Sequence, residues 1–167
     1  VRDGRIVYAQ AYGSAELEPK VLRARPAMRY AIGSISKQFT ASALLLLQQD
    51  GKLSLDDKVA KYFPQLTRAN EITIRQLLTH TSGYQDYWPQ DYTFADMRQP
   101  TQPAAILDRW ARQPLDYEPG MRWQYSNTGY VLAGLIVEKV SGEPLYHFLE
   151  RRIFEPLGIE SVRDFDN

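Results

Sequence analysis

The chain has 167 residues, 44% hydrophobic and 12% aromatic, which is enough apolar material for a sizeable core and excludes disorder over most of its length. Its 20 Lys+Arg balance 20 Asp+Glu, so no net field recruits nucleic acid or anionic lipid. It contains no Cys, which excludes disulfides, thiolate zinc sites and a cysteine nucleophile together.

Asp3-Gly4 ahead of residues 5–12 reads as a hairpin turn feeding a strand, and residues 14–32 as a connection with a short strand near Met28 to Ile32. A hairpin needs a partner strand before its turn, and only Val1 and Arg2 stand there. From about residue 33 the pattern is helical. A sheet of one strand and a stub leaves ladder groups unpaired, so further strands are expected outside this stretch, beyond Asn167 in particular. The expected division is a partial sheet portion over residues 1–32 and a helical domain over 33–167, an α+β organisation.

Ser34 to Asp50 gives the strongest helix signal. Phe39, Ala43, Leu44, Leu46 and Leu47 leave it little polar surface, which predicts a buried central helix stopped by Gly51. Its apolar run, Ala41 to Leu47 interrupted by Ser42, is too short to span a bilayer. Ser54 with Asp57 predicts a capping box before a short helix ending at Pro64, and Thr73 with Gln76 another before Ile74 to Leu78. His80-Thr81-Ser82-Gly83 then breaks the helix, and residues 84–100 form an aromatic loop. Further helices are predicted over 103–113, over 128–140 with a stop at Gly142, and over 144–154.

Two motifs carry chemistry. In Ser34-Ile35-Ser36-Lys37 the serine and lysine share one helix face, so the amine can approach the hydroxyl. Serine is a poor nucleophile without a neighbouring base. A lysine with a depressed pKa is one such base, and as a cation it instead stabilises a phenolate or alkoxide. First-turn helix N–H groups are also available to a developing oxyanion. In Tyr125-Ser126-Asn127 alternate residues of an extended segment point the same way, which brings Tyr125 and Asn127 to one cleft. A tyrosine beside a lysine cation ionises more readily and can act as general base, while Asn127 can grip a substrate amide or cap the helix that follows. An isolated S-x-x-K is common: average composition produces it in roughly half of chains this long.

The pairing of the two motifs is far more specific. Ser34-x-x-Lys37 followed by Tyr125-x-Asn127 resembles the first two motifs of class C β-lactamases, DD-peptidases and the related esterases. Residues 74–83 (IRQLLTHTSG), 125–130 (YSNTGY) and 155–159 (EPLGI) are similar to the same family. The resemblance implies the β-lactamase/transpeptidase-like fold, a mixed sheet with a helical domain inserted between its early and late strands. It implies a serine hydrolase that forms an acyl-enzyme on an amide, ester or β-lactam carbonyl. The implied catalytic residues are Ser34, Lys37 and Tyr125, with Asn127 binding substrate. The family's third motif, a Lys- or His-containing strand ending in Gly, is expected beyond Asn167. Tyr-Ser-Asn in place of Ser-Asp-Asn argues against the class A mechanism with its separate deacylating glutamate. An extracytoplasmic site of action is implied by the resemblance alone.

The expected partner is a small-molecule or peptide acyl substrate, with no cofactor and no metal, since two histidines on separate segments make no metal site. The alternative is a non-catalytic homologue that binds peptidoglycan-type peptides or acts as a scaffold. His80, beside Thr81 and Ser82, reads as structural; His147, Arg151 and Arg152 read as a solvated helix face. Tyr84, Tyr87, Trp88 and Tyr92 read as aromatics that pin a long loop or rim a cleft.

Overall fold

A computed structural model describes residues 1–88 and 99–164; Tyr92 lies outside them. The chain forms two units, Val1–Ile32 with the segment after Glu160, and Gly33–Glu160. In the first, Arg2 and Arg5 exchange backbone hydrogen bonds of 2.9 Å around Asp3-Gly4, whose positive φ values of 48° and 73° suit a tight hairpin turn. The strand expected over residues 5–12 does not form. Ile6, Val7, Tyr8 and Tyr12 are exposed, and no described strand lies beside them. An extended segment with neither a ladder partner nor a covered face has nothing to hold it. The pairing occurs instead between β1 (Ser14–Glu16) and β2 (Leu22–Arg23), antiparallel and irregular in register. Residues 28–32 form no strand either, and Met28 N–H closes a turn onto the Arg25 carbonyl.

The second unit holds α1 (Ser36–Gln49), α2 (Ile74–Leu78), α3 (Pro103–Ile106), α4 (Asn127–Ser141) and α5 (Leu145–Leu149). Gly51 ends α1 as expected: its N–H reaches the Gln48 carbonyl and that of Lys52 the Leu47 carbonyl, which satisfies two terminal acceptors. The capping box of α2 also forms, with Thr73 Oγ1 accepting from Gln76 N–H at 3.2 Å and Gln76 Oε1 accepting from Thr73 N–H at 2.9 Å. The helices expected over 103–113 and 144–154 appear as α3 and α5, each continuing into a π-helical turn, 107–111 and 150–154.

The central helix is α4, not α1. It packs against α1, α2, α3 and α5 and buries Leu132, Ala133, Ile136 and Val137 completely. A Cβ on Gly134 would stand 3.2 Å from Leu145 Cδ2, so the missing side chain lets α5 approach. Helix α1 buries Ala43, Leu44 and Leu47 against this core but leaves Leu45 49% exposed. Its apolar composition runs past the face that the unit covers.

Two further expectations are corrected. Asp57 Oδ2 accepts from Ser54 N–H at 3.0 Å, yet no helix follows; Lys58 bridges to Thr73 and a single 3-10 turn spans Val59–Lys61. Asp57 gathers Lys61 Nζ at 2.8 Å and Tyr62 Oη at 2.7 Å instead. Arg152 is not simply solvated: its guanidinium reaches Asp50 at 2.6 and 3.2 Å, a cation placed at the C-terminal end of α1. Arg151 pairs with Glu143 at the surface.

Candidate active site

Ser34 lies in one 3-10 turn, Gly33–Ile35, that leads directly into α1, and it is exposed. Ser36 Oγ donates to the Gly33 carbonyl at 2.8 Å and closes that turn. One helical turn on, Lys37 Nζ donates to Ser34 Oγ at 3.1 Å and to Asn127 Oδ1 at 2.7 Å. Tyr125 Oη lies 2.6 Å from Ser34 Oγ and donates to it as the neutral phenol. Lys37 and Tyr125 therefore converge on the Ser34 hydroxyl, with Asn127 behind Lys37, although Tyr125 is 91 positions from Ser34.

The second motif is held from behind. Residues 80–83 run beside 116–124: Gln124 N–H donates to the His80 carbonyl, Gly120 N–H to that of Thr81, and Asp116 N–H to that of Gly83. Gly83 permits this approach, because at φ 85° a Cβ would stand 2.4 Å from the Tyr117 carbonyl oxygen. Tyr84 is buried, with its hydroxyl on the Thr67 carbonyl, and so pins the loop to the core. Tyr87 N–H donates to Thr128 Oγ1, tying the same loop to α4.

Ser126, between Tyr125 and Asn127, points inward, and its Oγ caps α4 by accepting from Gly129 N–H at 3.1 Å. The cap is thus Ser126, not Asn127. That leaves the Asn127 amide for Lys37 on one side and Asp86 on the other, with Asn127 Nδ2 donating to Asp86 Oδ2 at 3.0 Å.

Asp86 is the site residue that the sequence did not single out, and His80, expected to be structural, stands behind Tyr125. His80 has a left-handed φ of 58° and stacks on Tyr125 with ring centroids 4.5 Å apart. No charge run or metal-ligand spacing marks either residue. Asp86 is one of several aspartates in an aromatic stretch, and the histidine's value lies in the turn that aims it.

The electrostatics are specific. Burial pushes the Tyr125 phenol up, but the Lys37 and Ser34 hydrogen bonds and the Lys37 charge outweigh it and hold the phenol below its ordinary value. Burial drives the Asp86 carboxyl up, against hydrogen bonds from Trp88 and Asn127 and the Lys37 charge. Burial first, and the Lys37 charge second, keep the His80 imidazole below its ordinary value. Among the described residues no group of three or more His, Asp or Glu could hold a metal ion, and no helix is long and apolar enough to cross a membrane.

A small sheet portion and a mainly helical unit, with a serine turn opening one helix and Tyr-x-Asn opening another, define a protein of β-lactamase/transpeptidase-like fold. The chain belongs to the Beta-lactamase family, whose model matches residues 1–163. It is 36% identical over 168 residues to a penicillin-binding protein of Bacillus subtilis (strain 168), covering 98% of this chain and 36% of that protein. It is 32% identical over 184 residues to a putative D-alanyl-D-alanine carboxypeptidase of Escherichia coli (strain K12), covering 95% of this chain and 40% of that one. Among solved structures, the D-amino acid amidase from Ochrobactrum anthropi SV3 matches with a TM-score of 0.75 and 36% identity, over 83% of this chain and 38% of that chain. The chain thus spans well under half the length of these relatives.

Proposed function

We propose that the chain carries the nucleophile-bearing part of a serine hydrolase that works through an acyl-enzyme on an amide or ester carbonyl. The observation that carries this reading is the Ser34 hydroxyl, exposed to solvent and within 2.6 Å of Tyr125 Oη and 3.1 Å of Lys37 Nζ. Ionised, Tyr125 accepts the Ser34 proton as Oγ bonds to the carbonyl carbon. The tetrahedral oxyanion then collapses, the carbon–nitrogen or carbon–oxygen bond breaks, and Tyr125 returns the proton to the leaving group. Water repeats the sequence to release the acid and free Ser34. Lys37, cationic between Ser34 and Asn127, stabilises the phenolate, and Asn127 fixes the lysine and faces the substrate. First-turn N–H groups of α1 lack an intrahelical acceptor by construction, which suits them to the oxyanion.

Relatives named as a putative D-alanyl-D-alanine carboxypeptidase and a D-amino acid amidase support D-aminoacyl amides and peptides as the substrate class to test first. The test is release of ammonia from D-phenylalanine amide and its L enantiomer, with Ser34→Ala alongside. Turnover of the D form that vanishes in Ser34→Ala supports the proposal. Equal turnover in the variant would sink it.

A further inference from the structure

We propose that Asp86 is the positioning residue of this site: it fixes which way the Asn127 amide faces, and through it where Lys37 is held. The inference rests on the hydrolase reading only for its effect on rate. Asp86 Oδ1 accepts from Asn127 N–H at 2.9 Å and Trp88 N–H at 3.1 Å, and Oδ2 accepts from Asn127 Nδ2 at 3.0 Å. A carboxylate can only accept, so the Asn127 amide must turn its NH2 group to Asp86. Its carbonyl oxygen is then aimed the other way, where Lys37 Nζ meets it at 2.7 Å. Donation runs outward from Lys37, to Ser34 on one side and through Asn127 to Asp86 on the other, and Asp86 is the acceptor that closes the Asn127 arm, with the Trp88 carbonyl 3.5 Å from Nδ2 beside it.

The chemistry of one isosteric change exposes this. In Asp86→Asn, two N–H donors hold the new Oδ1 where the old one was, so the new NH2 faces the NH2 of Asn127. The clash is relieved by a flip of Asn127, which turns its NH2 toward the Lys37 ammonium. Shape and packing are kept, while the lysine loses its Asn127 acceptor and keeps only Ser34. In the exchange Asp86→Asn with Asn127→Asp the bonds to position 86 and to Lys37 are available again, and only the long 3.5 Å contact to the Trp88 carbonyl is lost. The amide introduced at position 86 donates to one oxygen of the carboxylate introduced at position 127. The other oxygen accepts from Lys37, and the net charge is unchanged.

The experiment uses an activated acetyl ester, which has no amide for Asn127 to grip, and follows acylation and turnover with the Asn127 side-chain amide observed by NMR. For Asp86→Asn the expected result is a loss in kcat of roughly 10- to 100-fold, with KM little changed and the melting temperature kept. The exchange variant is expected to regain most of that loss. The Asn127 NH2 resonances, assigned by their disappearance in Asn127→Asp, are expected to move in Asp86→Asn. Unchanged resonances would overturn the proposal whether or not the original protein acylates. Full kcat in Asp86→Asn, or a folded exchange variant that regains nothing, would overturn it as well. If the original protein is not acylated while the resonances move, the hydrolase reading fails and the positioning role stands.

Discussion

His80 Nδ1 accepts a hydrogen bond from the Ser126 N–H at 3.1 Å, so the imidazole carries its proton on Nε2 and serves the second motif as an acceptor. Its ring lies on Tyr125 and also meets Tyr130 and Trp123, with Lys37 as the nearby cation. Protonation would turn the acceptor into a donor aimed at Ser126 N–H. Because the folded pKa lies below the unfolded 6.5, the unfolded chain binds the proton more readily. The stability that neutral His80 contributes is complete above 6.5 and is lost as pH falls through the folded value. Urea midpoints measured from about pH 7.5 to 5 should therefore fall with pH, and His80→Gln should show a flatter profile. Identical slopes would contradict the role.

Tyr125 titrates below its ordinary 10, by the margin with which Lys37 and Ser34 outweigh burial. The acylation rate should rise with pH and level off below that value. Tyr125→Phe should lower the rate by about 10²- to 10⁴-fold and abolish the limb. Lys37→Ala removes the cation and should shift the limb to higher pH. A limb that stays in place in Lys37→Ala would show that the lysine does not tune the tyrosine.

Gly83→Ala is expected to be the most damaging single methyl in the site's scaffold. The added Cβ meets the Tyr117 carbonyl at 2.4 Å, in a backbone conformation that L side chains rarely adopt. The cost should be on the order of 3 kcal/mol by urea unfolding. A loss below about 1 kcal/mol would mean that the loop yields freely.

Thr73→Ala tests the local reading of α2. It removes the side-chain acceptor for Gln76 N–H and should cost about 1 kcal/mol. Chemical denaturation compared with Thr73→Ser, which keeps the oxygen, separates the cap from the lost methyl.

The parts legible in the sequence are those set by local physics. The capping box at Thr73, the stop at Gly51 and the helix through Val140 each need only neighbours along the chain. The alternation of Tyr125 and Asn127 was legible for the same reason, and Ser34 with Lys37 by helical spacing. The rest depends on what lies across space. The strand expected over residues 5–12 has the Asp3-Gly4 turn ahead of it but no described ladder to join. Helix α1 looked central because composition does not say which faces are covered. The cap fell to Ser126 instead of Asn127 because Asp86 engages the asparagine's amide and backbone N–H, a contact that no spacing announces.

The central claim is that Ser34 is a working nucleophile. Intact-protein mass after brief exposure to an activated short-chain acyl ester tests it most directly, with Ser34→Ala run in parallel. The account predicts one acyl adduct on the original chain and none on the variant. An adduct of equal yield on both, or labelling of the original that maps elsewhere than Ser34, would contradict it.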